Sequence, residues 1–161
     1  MPKPSEVHVE AALKNSVLAS LTEAEKQAVL EVAFLSIASD RRLGEEEIDA
    51  FFRVSQRILG ESFGERELDD SVERYGLEIR KKGLHPRLLE LASELTRPMA
   101  RDQAYQLAYT MALSDLDTND EEFAFDLNLQ EALGISHDWA ETLADDVLSA
   151  FQAVEDRRQG S

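Results

Sequence analysis

Residues 39–48 read SDRRLGEEEI, and residues 114–123 read SDLDTNDEEF. Each stretch begins where an apolar run ends, FLSIA (34–38) in the first case and YTMAL (109–113) in the second. Shifting the chain by 75 residues superposes the two without a gap. Ala33 then falls on Ala108, Phe34 on Tyr109, Asp40 on Asp115, Glu47 on Glu122, Phe52 on Leu127 and Ile58 on Leu133. This correspondence decides the fold. It predicts two copies of a helix–turn–helix unit, residues 22–60 and 98–135, packed about a pseudo-twofold axis. It also resolves FAFDLNL (123–129), whose alternation taken alone suits a strand. Matched to IDAFFRV (48–54), it is expected to be helical.

Working outward, almost every segment carries helical periodicity. Thr22 is the expected N-cap of a helix running to about Ala38, with Glu25 as its capping-box partner. That helix is apolar nearly all round and reads as buried. Ile48, Phe51, Phe52, Ser55, Ile58 and Leu59 make one face of the next, which Gly60 ends. Leu68, Val72, Tyr75 and Ile79 form another helical stripe. Pro86 is placed as the first residue of a short helix through Leu95. Arg97 to Leu113 and a final helix from Ser136 complete the set, with Trp139 taken as a core anchor on the latter. The first dozen residues are expected to open with a small helix, and residues 158–161 to fray. The prediction is an all-α single domain over residues 1–161, a bundle of about seven to eight helices.

Composition limits what such a bundle does. Apolar residues make up 43% of 161, enough for a core, and the net charge is −16. That charge disfavours nucleic acid and attracts cations or a basic protein partner. Cysteine is absent, which excludes disulfides, thiol catalysis and Cys-ligated zinc. The opening MPKPSEVHVE has no apolar core of a signal peptide, so a cytoplasmic protein is expected. No phosphate loop, nucleophile elbow or HExxH pair occurs, and His8, His85 and His137 are scattered. The expectation is a protein that is not an enzyme. RKKGLHPR (80–87) is the one basic cluster. It suits a helix C-terminus, with lipid head groups or an acidic partner as the alternative.

The acidic turns are the candidate site. Asp40 and Asp115 each end a helix, where the backbone dipole is negative and a carboxylate costs roughly 0.3–1 kcal/mol. A hard cation would remove that conflict, using carboxylate and free C-terminal carbonyl oxygens. Simple turn formation is the competing reading for both. Glu47 and Glu122 stand where a third-position Glu caps its own helix, if Gly44 and Asn119 are the N-caps. Asp115, Asp117 and Asn119 match EF-hand positions 1, 3 and 5, and Asp126 matches position 12. Asp120 replaces the required Gly, and the first copy has Arg42 at position 3, so a true EF-hand is not expected.

The segments ASDRRLGEEE and LSDLDTNDEE, each followed by a helix closing in Leu-Gly, resemble the tellurite-resistance TerB-like family. Arg41 and Leu116 stand where that family's pattern has Gly after the Asp. The resemblance implies an all-helical fold with duplicated acidic turns that bind metal. The ligands carried over are Asp40 with Glu47 and Asp115 with Glu122, and the denser second turn adds Asp117. The implied cofactor is a divalent ion, calcium or another hard cation. The implied role is tellurite or other chemical-stress response, in an assembly with protein partners and with peripheral association at the inner face of the membrane. The alternative is an acidic helical protein–protein interaction module with purely structural turns.

Overall fold

The computed structural model describes residues 20–38, 44–114 and 120–159. The expected opening helix lies outside these residues. Among them every regular element is helical: α1 (Glu23–Ala38), α2 (Glu45–Leu59), α3 (Glu65–Lys82), α4 (Leu84–Glu94), α5 (Pro98–Ser114), α6 (Asp120–Leu133) and α7 (His137–Gln159). FAFDLNL lies inside α6, as its internal match predicts. No helix among the described residues is long and apolar enough to cross a membrane.

α1 is the centre of the molecule. Val29, Leu30, Val32, Ala33, Phe34 and Leu35 are all buried, so both faces of the helix are covered. Its start is fixed by the expected capping box: Thr22 N–H donates to Glu25 Oε1 at 2.9 Å, and Glu25 N–H donates to Thr22 Oγ at 3.1 Å. Phe34 meets Phe51 of α2 at 5.7 Å between ring centroids and Tyr75 of α3 at 5.3 Å. These three rings tie the first hairpin to α3.

α1 packs most extensively against α5, and the two run parallel. At their starts, Arg97 binds Glu25 and donates to the Ser20 carbonyl at 2.9 Å. Near their ends, the Ser36 hydroxyl donates to the Ala108 carbonyl at 3.1 Å. Burial follows the 75-residue shift. Ala33 and Ala108 are both buried, as are Leu30 and Tyr105, Ala50 and Phe125, Val54 and Leu129, Ser55 and Gln130, and Ile58 and Leu133. Phe51 breaks the pattern, since Asp126 takes its place as a polar residue bonded to Tyr105.

One boundary expectation and one packing expectation are corrected. α4 begins at Leu84 rather than Pro86, because Gly83, at φ 91°, both ends α3 and starts α4. Pro86 therefore sits in the first turn, where its missing N–H costs nothing. α7 runs from His137 through Gln159. Trp139 is not a core anchor: it is 46% exposed. Ala140, Leu143, Val147 and Val154 form the buried stripe of α7. One residue earlier, Trp139 is turned about 100° away from that stripe. Its indole N–H donates to Asp102 of α5 at 2.9 Å.

Candidate functional site

The parallel pairing of α1 and α5 puts the C-terminal ends of both helices at the same end of the bundle. α1 runs on from Ser36 to Ala38, and α5 from Ala108 to Ser114. At about 1.5 Å per residue their last turns differ by only about 6 Å along the axis. Neither helix has a basic residue in its last turn. Two helix C-termini, each without a basic residue in its last turn, therefore stand at one pole. Residues 114–122 contribute five carboxylates and no base to the chain that leaves it, whereas 39–47 contribute four carboxylates with Arg41 and Arg42.

Asp40, Asp115 and Asp117 lie outside the described residues. Glu122 belongs to the first turn of α6, and only its backbone is described. Glu47 is described. Gly44 is the N-cap of α2, with extended backbone, and Glu47 folds back over it. Its Oε2 lies 2.6 Å from where a β-carbon of residue 44 would stand. The same gesture is complete in α3, where Gly64 N–H donates to Glu67 Oε2 at 2.8 Å. Glu47 is thus placed for the capping half of its two expected roles. Asp126, the residue at EF-hand position 12, is committed elsewhere. It accepts from Tyr105 Oη at 2.8 Å and from Gln130 Nε2 at 3.1 Å. Among the described residues no group of three or more His, Asp or Glu side chains is arranged to hold a metal ion.

The structure gathers polar groups that sequence reasoning did not single out. Glu31, on the buried central helix, takes Arg87 Nε on Oε2 at 2.5 Å and Nη2 on Oε1 at 2.7 Å. Arg87 also reaches Glu90 at 3.4 Å, and Lys82 joins Glu78 and Glu90 at 3.1 and 3.0 Å. The bidentate bond to Glu31 raises the Arg87 pKa further above its usual value, against the opposing effect of burial. RKKGLHPR is therefore divided. Lys82 and Arg87 are bound within an ion network across α1, α3 and α4, while Arg80 and Lys81 stay exposed at the end of α3, where the dipole favours them. Beside Glu31, a cleft of ≈ 260 Å³ lies between α1, α3 and α4. On the other side of the bundle, burial and Asp126 raise the Tyr105 hydroxyl above the ordinary phenol range. A bonded chain continues from Asp126 through Gln130 to His137 and Glu141 at the surface. The signal for these groups was a charged or polar residue at a buried heptad position, Glu31 above all; its partner is 56 residues away.

Glu25 carries a pH dependence. Hydrogen bonds from Arg97 and then from the Thr22 N–H hold its carboxyl at about 2. A lowered folded-state pKa contributes stability above the unfolded value near 4.5, and that contribution is lost as pH falls toward 2. Glu25→Gln is expected to be less stable than the wild type at pH 7, with the difference shrinking between pH 4.5 and 2. Urea midpoints at successive pH values measure this. A difference that stays constant over that range would show that Arg97 and Thr22 do not favour the ionised form.

No protein-family model, curated protein or solved structure matches the chain.

Proposed function

We propose that the chain is a non-enzymatic, TerB-like helical domain that binds a divalent cation at the pole where its two acidic turns leave α1 and α5. Asp40 and Asp115 are the principal ligands in this reading, with Asp117, Glu47 and Glu122 contributing as the turns allow. The observation that carries it is the parallel packing of α1 and α5, fixed by Glu25–Arg97 at one end and Ser36–Ala108 at the other. It brings two helix C-termini, neither with a basic residue in its last turn, to one pole, and an acidic segment follows each of them in the sequence. Carboxylate and carbonyl oxygens suit calcium or another hard cation. Ion binding would stiffen that pole and present it to a protein partner in a cytoplasmic stress-response or signalling assembly, in reach of the inner membrane face.

The test is the melting temperature of the full chain in EDTA and in excess Ca²⁺, Mn²⁺ or Zn²⁺. At 100 times its Kd, an ion should add about 2.7 kcal/mol of stability. The double variant Asp40→Asn, Asp115→Asn should lose this response. Without metal it should be slightly more stable than the wild type, by about 0.3–1 kcal/mol per site, because each substitution removes a charge opposed to a helix dipole. No response to any ion, in wild type and variant alike, sinks the proposal.

A second reading is favoured by Glu47 lying over Gly44, the capping position. The turns are then structural, and the −16 surface binds a basic protein. Capture of that partner would weaken with salt and ignore chelator.

A further inference from the structure

The cleft between α1, α3 and α4 is independent of the acidic pole. It exists because α1 presents small residues, Ala24 and Ala28, to a space shared with Leu91 of α4. Glu31 and Arg87 line it as a closed pair, each satisfying the other's hydrogen-bonding geometry. Its other polar groups differ. Arg74 lies 5.4 Å from the centre of the Tyr75 ring. Among the described residues, neither Arg74 nor Glu94 enters an ion pair, and the Gln27 side chain makes no hydrogen bond. A guanidinium and a carboxylate of opposite charge thus line one small cleft without an ion pair between them, together with Ala24, Ala28 and Leu91.

We propose that this cleft binds a small zwitterion of the α-amino-acid type. The ligand carboxylate meets the Arg74 guanidinium, whose planar fork matches two carboxylate oxygens. The ligand ammonium meets Glu94, and Gln27 offers both a donor and an acceptor. An aliphatic side chain lies against the exposed Ala24, above the nearly closed floor of Ala28 and Leu91, and the volume of ≈ 260 Å³ holds one of about leucine size. A plain carboxylic acid would cover Glu94 without pairing it, and a plain amine would do the same to Arg74. A nucleotide brings several phosphate charges to one unpaired arginine in a protein of net charge −16, so phosphate ligands are disfavoured.

The experiment is calorimetric titration of the full chain with glycine, L-valine and L-leucine. The single-charge analogues 4-methylpentanoate and 3-methylbutylamine serve as comparisons. Leucine is expected to bind at least about tenfold more tightly than either analogue. Arg74→Gln and Glu94→Gln are each expected to weaken it by about tenfold or more. Both side chains are on exposed residues, so these variants keep the wild-type melting curve. The proposal is overturned if none of the amino acids binds, if an analogue binds as tightly as leucine, or if both variants bind leucine as the wild type does. Asp40→Asn, Asp115→Asn should leave the titration unchanged, which separates this site from the cation site.

Discussion

Arg87→Met is expected to lower the unfolding free energy by about 3–5 kcal/mol, read as a fall in the urea midpoint. The reason lies with Glu31 more than with Arg87. Glu31 is carried on α1, the helix covered on both faces, and its side chain is 7% exposed. Both of its oxygens are taken by the one guanidinium, at 2.5 and 2.7 Å. Methionine fills much of the same space but donates nothing, so a carboxylate is left buried without a partner. Replacing both members, Glu31→Leu with Arg87→Met, should restore stability to within about 1 kcal/mol of the wild type or exceed it, since the desolvation cost of the pair is then removed. Lys82→Met provides the comparison. Its contacts to Glu78 and Glu90 are at the surface and screened by water, so its loss should lower the urea midpoint far less. If Arg87→Met cost no more than Lys82→Met, the Glu31 carboxylate would have to be hydrated rather than held by Arg87.

Arg101→Met should cost about 2–4 kcal/mol, by a different route. Arg101 comes from the first turn of α5 and places its guanidinium among the ends of two other helices. It donates to the carbonyls of Leu95 and, at 3.2 Å, Ala92 at the end of α4, and to that of Leu133 at 2.8 Å at the end of α6. The Ala92 carbonyl also accepts from the Leu95 N–H at 3.2 Å, and the positive charge sits at two negative dipole ends. Gly134, at φ 66°, turns the chain beside it, and a β-carbon there would lie 3.3 Å from Arg101 Nη1. The Ile135 N–H then closes α6 on the Gln130 carbonyl at 2.9 Å. Arg101→Lys should recover less than half of the loss, because one ammonium cannot span three carbonyls on two helices. Amide hydrogen exchange should quicken at the C-terminal turns of α4 and α6 in both variants. Wild-type stability and exchange in Arg101→Lys would show that the fork geometry is unimportant.

Features governed by neighbouring residues were legible without the structure. The Thr22–Glu25 box, the glycine stop at Gly60 and the all-round apolar character of α1 are local, and each is present as expected. The helical state of FAFDLNL is a less direct case. Its own alternation points to a strand, and the 75-residue match supplied the correct answer because Ala50, Val54 and Ile58 share burial with Phe125, Leu129 and Leu133. Trp139 shows where such reading stops. A large aromatic in a helical stripe suggests the core, but the stripe is set by which face α5 covers, and a register one residue away put Ala140 inside instead.

The amino-acid sequence by itself determined the helices and most of their ends, because capping and 3.6-residue periodicity act over a few residues. Only the tertiary structure decided that α1 and α5 run parallel, that Glu31 is answered by Arg87 and two helix ends by Arg101, and that Arg74 and Glu94 share a cleft. Those outcomes depend on side chains brought together across long separations. Their free energies come from burial and desolvation, which have no value until the neighbouring helix is in place.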